Sequence, residues 1–127
     1  MPYLLDTHAF LWFVSGDKKL PKDIKELVKN VNESCFISIA SFWEITIKVQ
    51  LGKLKLDLSI EELFEFSLRN KIEIIDINSE HLIELLNLPF IHRDPFDRLI
   101  VSQGISENLI LISKDSELNK YGIKLIW

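Results

Sequence analysis

The sequence predicts a three-layer α/β/α domain in which helices cover both faces of a short, mainly parallel sheet. Short apolar segments alternate with amphipathic segments along all 127 residues. Strands that are separated by helices need crossover connections, and such connections make neighbouring strands parallel. Because the chain has no internal repeat and no Pro- or Ser-rich linker, we expect one domain over residues 1–127.

The first half of the chain predicts two strands and four helices. The strands are the apolar segments 3–5 and 35–38. The helices cover residues 7–14, 21–32, 41–51 and 59–70, where apolar residues recur three or four positions apart. Gly16 and Gly52 should end the first and third helices, and Pro21 suits a first helical turn. Residues 53–58 alternate in polarity, which is typical of an extended connection.

The second half continues the alternation with three strands and two helices. Residues 72–77 and 108–113 are rich in Ile and Leu and predict buried strands, and residues 124–127 predict an edge strand. Residues 79–86 predict a helix with Ser79 as its N-cap. A longer helix should begin at Asp94 and run to about residue 106, and a short helical turn should follow Asp115.

Composition and charge exclude several classes of protein. The net charge is −4, from 15 basic and 19 acidic residues, whereas non-specific nucleic-acid binding usually appears as a basic domain. If four carboxylates hold divalent cations, however, the remaining acids and bases balance. A single cysteine, Cys35, excludes a disulfide framework and a Cys-rich zinc site. With no apolar stretch long enough to cross a membrane and no secretory signal, we expect a cytoplasmic protein that makes no membrane contact.

Acidic residues fall where the strands of the predicted sheet end. Asp6 directly follows the first strand, and Asp115 lies just past the fourth. Glu44 lies in the first turns of the helix after the second strand, and Asp94 and Asp97 begin another helix. Because ligands of open parallel sheets bind beyond the carboxyl ends of the strands, these side chains should converge on one edge.

Each acid also has a purely structural interpretation, and both interpretations stay open at this point. Asp6 and Asp94 fit helix N-caps, Asp115 fits the start of a turn, and Glu44 fits an i,i+4 ion pair with Lys48. For two of these acids, the helical periodicity favours a role in a functional site. Asp97 shares a helical face with Ile100, Val101 and Gly104, while Glu44 aligns with Ala40, Ile47 and Leu51, so both carboxylates should face inward and need partners.

Carboxylates that lie within a few ångströms of one another need a raised pKa or a neutralising cation. Oxygen ligands without cysteine suit hard cations, namely Mg²⁺ or Mn²⁺. Such ions bind phosphate oxygens and activate water. Phosphodiester hydrolysis is therefore the chemistry that this pattern predicts.

Four segments of the chain resemble, in order and over its whole length, PIN-domain proteins of the VapC toxin type. They are Leu-Leu-Asp-Thr-His-Ala-Phe-Leu-Trp at 4–12, Ser-Phe-Trp-Glu-Ile-Thr-Ile-Lys at 41–48, His-Arg-Asp-Pro-Phe-Asp-Arg-Leu at 92–99, and Ser-Lys-Asp at 113–115. The resemblance implies an α/β/α ribonuclease that is the toxin of a type II (VapBC-type) toxin–antitoxin module. It also implies Mg²⁺ or Mn²⁺ as cofactor, a homodimer, RNA as substrate and a cognate VapB-type antitoxin as inhibitor. Lys114 stands where the family often has Arg.

The resemblance also implies roles for individual residues. The family's acidic quartet corresponds to Asp6, Glu44, Asp97 and Asp115. Asp6 and Asp97 would bind a metal ion directly. Glu44 would act through water or orient the attacking water, and Asp115 would complete the ligand set or hold a second ion. Asp94 would support the ligands or cap its helix.

Several neighbouring residues keep two interpretations. Thr7 fits either a contact with the scissile phosphate or the cap of the first helix. Lys48 fits the ion pair with Glu44 or a contact with RNA, and Arg98 fits phosphate steering or a solvated side chain. His8 fits a position at the edge of the core better than a catalytic base. The aromatic residues are expected mainly in the core, with some at a dimer or antitoxin surface: Phe10, Trp12, Phe13, Phe42 and Trp43.

Three other classes of protein are alternatives to the nuclease. A receiver-like signalling domain has this size and acids at strand ends, but it needs an acid pair after the first strand, where only Asp6 stands. A haloacid-dehalogenase-type phosphatase needs Asp-x-Asp there, and His8 occupies the second position. A catalytically silent PIN-like scaffold would not need the complete quartet.

Overall fold

A computed structural model describes residues 2–127. Within them lie five strands, six α-helices and one 3₁₀ helix. The strands are β1 (Pro2–Leu5), β2 (Ser34–Ser38), β3 (Ile72–Ile75), β4 (Ile110–Ile112) and β5 (Leu125–Ile126). The α-helices are α1 (Thr7–Ser15), α2 (Lys22–Lys29), α3 (Ile39–Gln50), α4 (Ile60–Arg69), α5 (Ser79–Asn87) and α6 (Pro95–Ser106), and the 3₁₀ helix covers Ser116–Tyr121. None of the described helices is both long and apolar enough to span a bilayer.

The five strands form one sheet in which every neighbouring pair is parallel, in the order β3-β2-β1-β4-β5. Leu5 lies in the middle of this sheet, paired with Ile37 on one side and Ile112 on the other. The chain reverses its direction of winding between β1 and β4, which makes that boundary the topological switch point. A receiver-like domain would have the order 2-1-3-4-5, so the sheet excludes that alternative.

Each face of the sheet carries its own core because successive strand residues point to opposite sides. Leu5 and Ile112 face the core that α1, α2, α3 and α4 cover, and Phe10 and Phe42 fill its centre. Leu4 and Leu111 face the other core, under α5, α6 and the 3₁₀ helix. The predicted three-layer arrangement is therefore confirmed.

Two predicted helix starts are wrong, and the hydrogen bonds show why. Helix α3 begins at Ile39 instead of residue 41, because the Ser38 hydroxyl accepts a hydrogen bond from the Ala40 amide at 3.0 Å. The cap of α5 is Asn78 and not Ser79, since the Asn78 side chain accepts from the His81 amide. Helix α2 and strands β3 and β4 are shorter than predicted.

The inward face predicted for α3 is correct only near its beginning. Ala40 and Glu44 are buried, but Leu51, which follows the last residue of α3 as its C-cap, is exposed. Trp43 is also exposed, so it takes the surface position that was expected for some of the aromatic residues and not a core position. Gly16 ends α1 as predicted, with a φ of 69° that lies in the left-handed region.

Candidate active site

Three of the predicted carboxylates line one cleft beyond the carboxyl ends of β1 and β4. The cleft has a volume of about 300 Å³ and lies at the switch point of the sheet. Its lining residues are Asp6, His8, Trp12, Asp97, Lys114 and Asp115. The fold thus brings together side chains that are more than 100 positions apart in sequence.

Asp6 is fixed in this cleft by two elements. Its backbone amide donates to the carbonyl of Ile112 at 3.0 Å, which extends the β1–β4 pairing by one residue. Its carboxylate Oδ1 accepts from the Ala9 amide at 2.8 Å and so caps α1. Burial raises the pKa of the Asp6 carboxyl, while hydrogen bonds from Ser113 and Ala9 act in the opposite direction. Asp6 is therefore both a helix cap and a buried acid of the cleft.

The surroundings of Asp97 strongly raise the pKa of its carboxyl group. Asp94 caps α6 by accepting hydrogen bonds from the amides of Phe96 and Asp97, which places Asp97 in the first turn. Burial, and then the nearby charges of Asp94 and Asp6, raise the pKa of Asp97 to about 7. An acid so crowded is stabilised either by a proton or by a cation.

Glu44 lies behind the cleft, with both carboxylate oxygens already hydrogen-bonded. Its Oε1 accepts from the Thr7 hydroxyl at 2.7 Å, and its Oε2 accepts from Lys48 Nζ at 2.9 Å. The side chain of Glu44 is 3% exposed, so Lys48 compensates a buried charge, and the same pairing raises the pKa of Lys48. The predicted i,i+4 ion pair is present. Thr7, by contrast, does not cap α1, because Asp6 does, and its hydroxyl also lies 2.9 Å from Ser41 Oγ.

His92 is a site residue that the sequence analysis missed. Its Nε2 lies 2.8 Å from Asp115 Oδ2 and 3.7 Å from Asp97 Oδ2. Its Nδ1 accepts a hydrogen bond from the Asp94 amide at 3.1 Å, so this hydrogen-bond network assigns a proton to Nε2, which then donates to Asp115. One ring atom of His92 and one oxygen each of Asp97 and Asp115 lie within 4.8 Å of one another.

Ser113 links two of the acids and was also not singled out. It is fully buried, its hydroxyl hydrogen-bonds to Asp6, and its oxygen accepts from the Asp115 amide at 3.1 Å. Asp115 in turn caps the 3₁₀ helix, because Oδ1 accepts from the Glu117 amide. The predicted turn after Asp115 is therefore present. The only sequence signal for His92 and Ser113 was their position within two residues of a predicted acid.

Arg98 takes neither of its predicted positions. It is 6% exposed, so the prediction of a solvated side chain is wrong. Its guanidinium donates to the carbonyl of Pro89 at 2.7 Å, lies near the Tyr121 hydroxyl and stacks over the Phe90 ring. These contacts tie α6 to the segment before it. His8 is exposed at the rim of the cleft instead of at the edge of the core.

The donors of the cleft fit a hard divalent cation. Carboxylate oxygens dominate, the imidazoles of His8 and His92 lie beside them, and the described residues place no thiol there. Burial and the charges of Asp94 and Asp6 raise the pKa of Asp97, so a bound cation would stabilise its ionised form. Asp6, Asp97 and Asp115 could hold such an ion, while Glu44 lies behind them and is hydrogen-bonded to Thr7 and Lys48. Their chemistry does not distinguish Mg²⁺ from Mn²⁺.

The sheet order and the acidic cluster define an α/β protein with a group of carboxylates at its topological switch point. The chain belongs to the PIN domain family, which matches residues 3–124. This membership confirms the family resemblance on which the sequence analysis relied. Comparison of the sequence with curated proteins found no match.

Solved structures with the same fold include two VapBC complexes. VapBC2 from Rickettsia felis, bound to a DNA fragment from its promoter, contains a chain that is 20% identical, with a TM-score of 0.74 over 99% of this chain and 98% of that one. A chain of VapBC-1 from nontypeable Haemophilus influenzae is 19% identical, with a TM-score of 0.71 over 99% of this chain and 97% of that one. A chain of FitAcB from Neisseria gonorrhoeae is 13% identical, with a TM-score of 0.65 over 98% of this chain and 96% of that one.

Proposed function

We propose that the protein is a metal-dependent endoribonuclease and the toxin component of a type II, VapBC-type toxin–antitoxin module. The observation that carries the proposal is the convergence of Asp6, Asp97 and Asp115 in one cleft, with Glu44 directly behind it. A binding scaffold has no need of a carboxyl group whose pKa is raised by burial and by neighbouring acids. A nuclease needs them, because the cation that neutralises them also binds phosphate.

In this proposal each residue has a defined task. Asp6, Asp97 and Asp115 hold Mg²⁺ or Mn²⁺, which when bound polarises the scissile phosphate and activates water. Glu44 orients the attacking water, and Thr7 and Lys48 keep its carboxylate in place. His92 and Ser113 position Asp115, and Ser113 also holds Asp6. Asp94 sets the first turn of α6 and thereby the position of Asp97.

The proposed partner is a VapB-type antitoxin that inhibits cleavage. The support comes from the solved chains of the same fold, which include toxin–antitoxin assemblies. We also propose that the protein forms a homodimer and acts on RNA in the cytoplasm. Co-expression with the open reading frame next to the gene, followed by co-purification and light scattering, tests both assemblies.

Cleavage of an RNA panel tests the activity itself. We expect purified protein to cut RNA with Mg²⁺ or Mn²⁺ and not with EDTA. Asp6→Asn should lower the rate by at least about 100-fold with the fold retained, because Asn caps a helix as well as Asp does but carries no charge. Asp57→Asn, an exposed acid outside the cleft, is the matched control and should cut normally.

Two results would contradict the proposal in different ways. Absence of metal-dependent cleavage over the whole panel would remove the nuclease function. Undiminished cleavage by Asp6→Asn, with contaminating nuclease excluded, would instead remove the assignment of the cleft as the active site.

A further inference from the structure

An aromatic side chain lies in the same cleft as the acids. Trp12 lies on α1, six residues after the cap Asp6. It lines the cleft together with Asp97 and Asp115. The indole also packs against the larger core with part of its surface, which fixes the ring, and the remainder faces the cleft. A rigid aromatic surface beside a phosphate-binding site is the arrangement that proteins use to stack an unpaired base.

Other rings extend this surface. The His8 ring lies 5.7 Å from the Trp12 ring at an interplanar angle of 38°, and the Trp127 ring lies 5.7 Å away at 59°. His8 lines the cleft and is exposed, and Trp127 is 37% exposed. The three rings therefore form a partly open aromatic surface at the rim of the acidic cleft.

Two lysines lie over the Trp12 ring. Lys19 Nζ is 5.7 Å and Lys114 Nζ is 6.0 Å from its centroid. Both distances are near the outer limit of about 6 Å for a cation–π contact, and both side chains are exposed, so a base could displace them at little cost. Among the described residues, Lys19 and Lys114 are the cations beside the ring. Their ammonium groups could bind the phosphates on either side of a stacked base.

We propose that Trp12 stacks one unpaired base of single-stranded RNA next to the scissile phosphate, while Lys19 and Lys114 bind the adjoining phosphates. The inference rests on the proposed ribonuclease function and names the form of its substrate. An A-form duplex keeps its bases stacked within the helix and offers no free base face to Trp12. The cleft therefore selects unpaired segments, such as loops and ends, over helical RNA.

Binding without cleavage tests the stacking directly. Native protein with Mg²⁺ is titrated with nucleoside 5′-monophosphates, which contain no phosphodiester bond to cut, and with ribose 5-phosphate as a probe without a base, while the three indole N–H signals are followed by NMR. We expect the Trp12 signal to shift with the nucleotides and not with ribose 5-phosphate, and the exposed Trp43 signal to stay in place. Equal shifts with ribose 5-phosphate, or no shift of Trp12, would overturn the proposal.

Variants at the same residue test its contribution to RNA affinity. Trp12→Leu keeps the apolar packing and removes the ring face, and should weaken binding of a random-sequence single-stranded 12-mer by roughly 5- to 150-fold. Trp12→Tyr should stay within about threefold, since it keeps a ring that can stack. Phe90→Ala removes an exposed ring outside the cleft and should leave binding unchanged.

The outcomes separate this inference from the function on which it rests. The stacking role is wrong if native protein cuts RNA and Trp12→Leu binds and cuts RNA equally well. It is also wrong if duplex and single-stranded RNA bind equally. In both cases the proposed nuclease function is unaffected. If Trp12→Leu loses only the antitoxin, Trp12 belongs to the protein partner. If the Leu variant does not fold, the Tyr variant and the NMR titration still decide. Absence of any cleavage by native protein refutes the proposed function instead.

Discussion

Replacing Asp97 by Asn should stabilise the metal-free protein at pH 8. The Asp97 side chain is only 22% exposed, and its pKa is raised from an ordinary value of 3.8 to about 7, first by burial and then by Asp94 and Asp6. Ionisation of Asp97 at pH 8 is therefore unfavourable in the folded state. Asn has nearly the same shape and removes the charge.

The magnitude follows from proton linkage. Between pH 4 and 7 the folded state binds more protons at Asp97 than the unfolded state, so the free energy of unfolding falls as pH rises through this window. About three pKa units at roughly 1.36 kcal/mol each give an upper limit of about 4 kcal/mol above pH 7. At pH 4.5, close to the unfolded pKa, the advantage of Asp97→Asn should shrink to about 1 kcal/mol.

Urea denaturation in EDTA at pH 4.5 and pH 8 measures both values. Addition of Mg²⁺ or Mn²⁺ at 100 times the dissociation constant should then stabilise the native protein by about 2.7 kcal/mol, and the variant much less. Asp57→Asn, at an exposed acid outside the cleft, is the control and should leave stability unchanged at either pH. Equal stability of native protein and Asp97→Asn at pH 8 would refute the electrostatic argument for a cation site.

Three further changes probe the supporting contacts. Thr7→Val removes the 2.7 Å hydrogen bond to Glu44 and should slow RNA cleavage about tenfold, whereas Thr7→Ser should restore it. His92→Leu leaves Asp115 without its donor and should weaken Mn²⁺ binding about 10- to 100-fold by calorimetry. Gly16→Ala forces a side chain into the left-handed region and should lower the free energy of unfolding by about 1 kcal/mol, with cleavage unchanged.

Each of these expectations has a contradicting result. Equal cleavage by the Val and Ser variants would mean that Thr7 does not position Glu44. Unaltered Mn²⁺ affinity after His92→Leu would make the histidine a structural residue only. A stable Gly16→Ala protein would show that α1 can end without a left-handed residue.

The fold was predictable because its signals are repeated along the chain. The alternation of apolar and amphipathic segments implied crossovers and parallel strands, whereas helix starts depend on single hydrogen bonds. Ser38 and Ser41 have the same preference for a cap position, and Asn78 and Ser79 have similar ones. The end of the preceding strand decides which of the two side chains meets a free amide. Sequence pattern alone cannot make that choice.

The site was predictable as a set of acids but not as a network. Carboxylates at strand ends meet because the sheet is parallel, so topology alone brings Asp6 and Asp115 together. The hydrogen bonds that orient them depend on side-chain geometry. His92, Ser113 and Trp12 have ordinary sequence contexts, and their contribution follows from where their atoms point.

The capping role of the acids is compatible with the functional role that we propose for them. Asp6 and Asp115 each use Oδ1 to cap a helix, and that bond fixes the carboxylate so that it faces the cleft. Asp94 does the same for the turn that carries Asp97. At Asp6 the hydrogen bond from the Ala9 amide also lowers the pKa and so acts against the effect of burial. Because Asn can cap but cannot carry the charge, Asp→Asn at these positions separates the two tasks, and loss of metal binding with an intact fold is the result that their combination predicts.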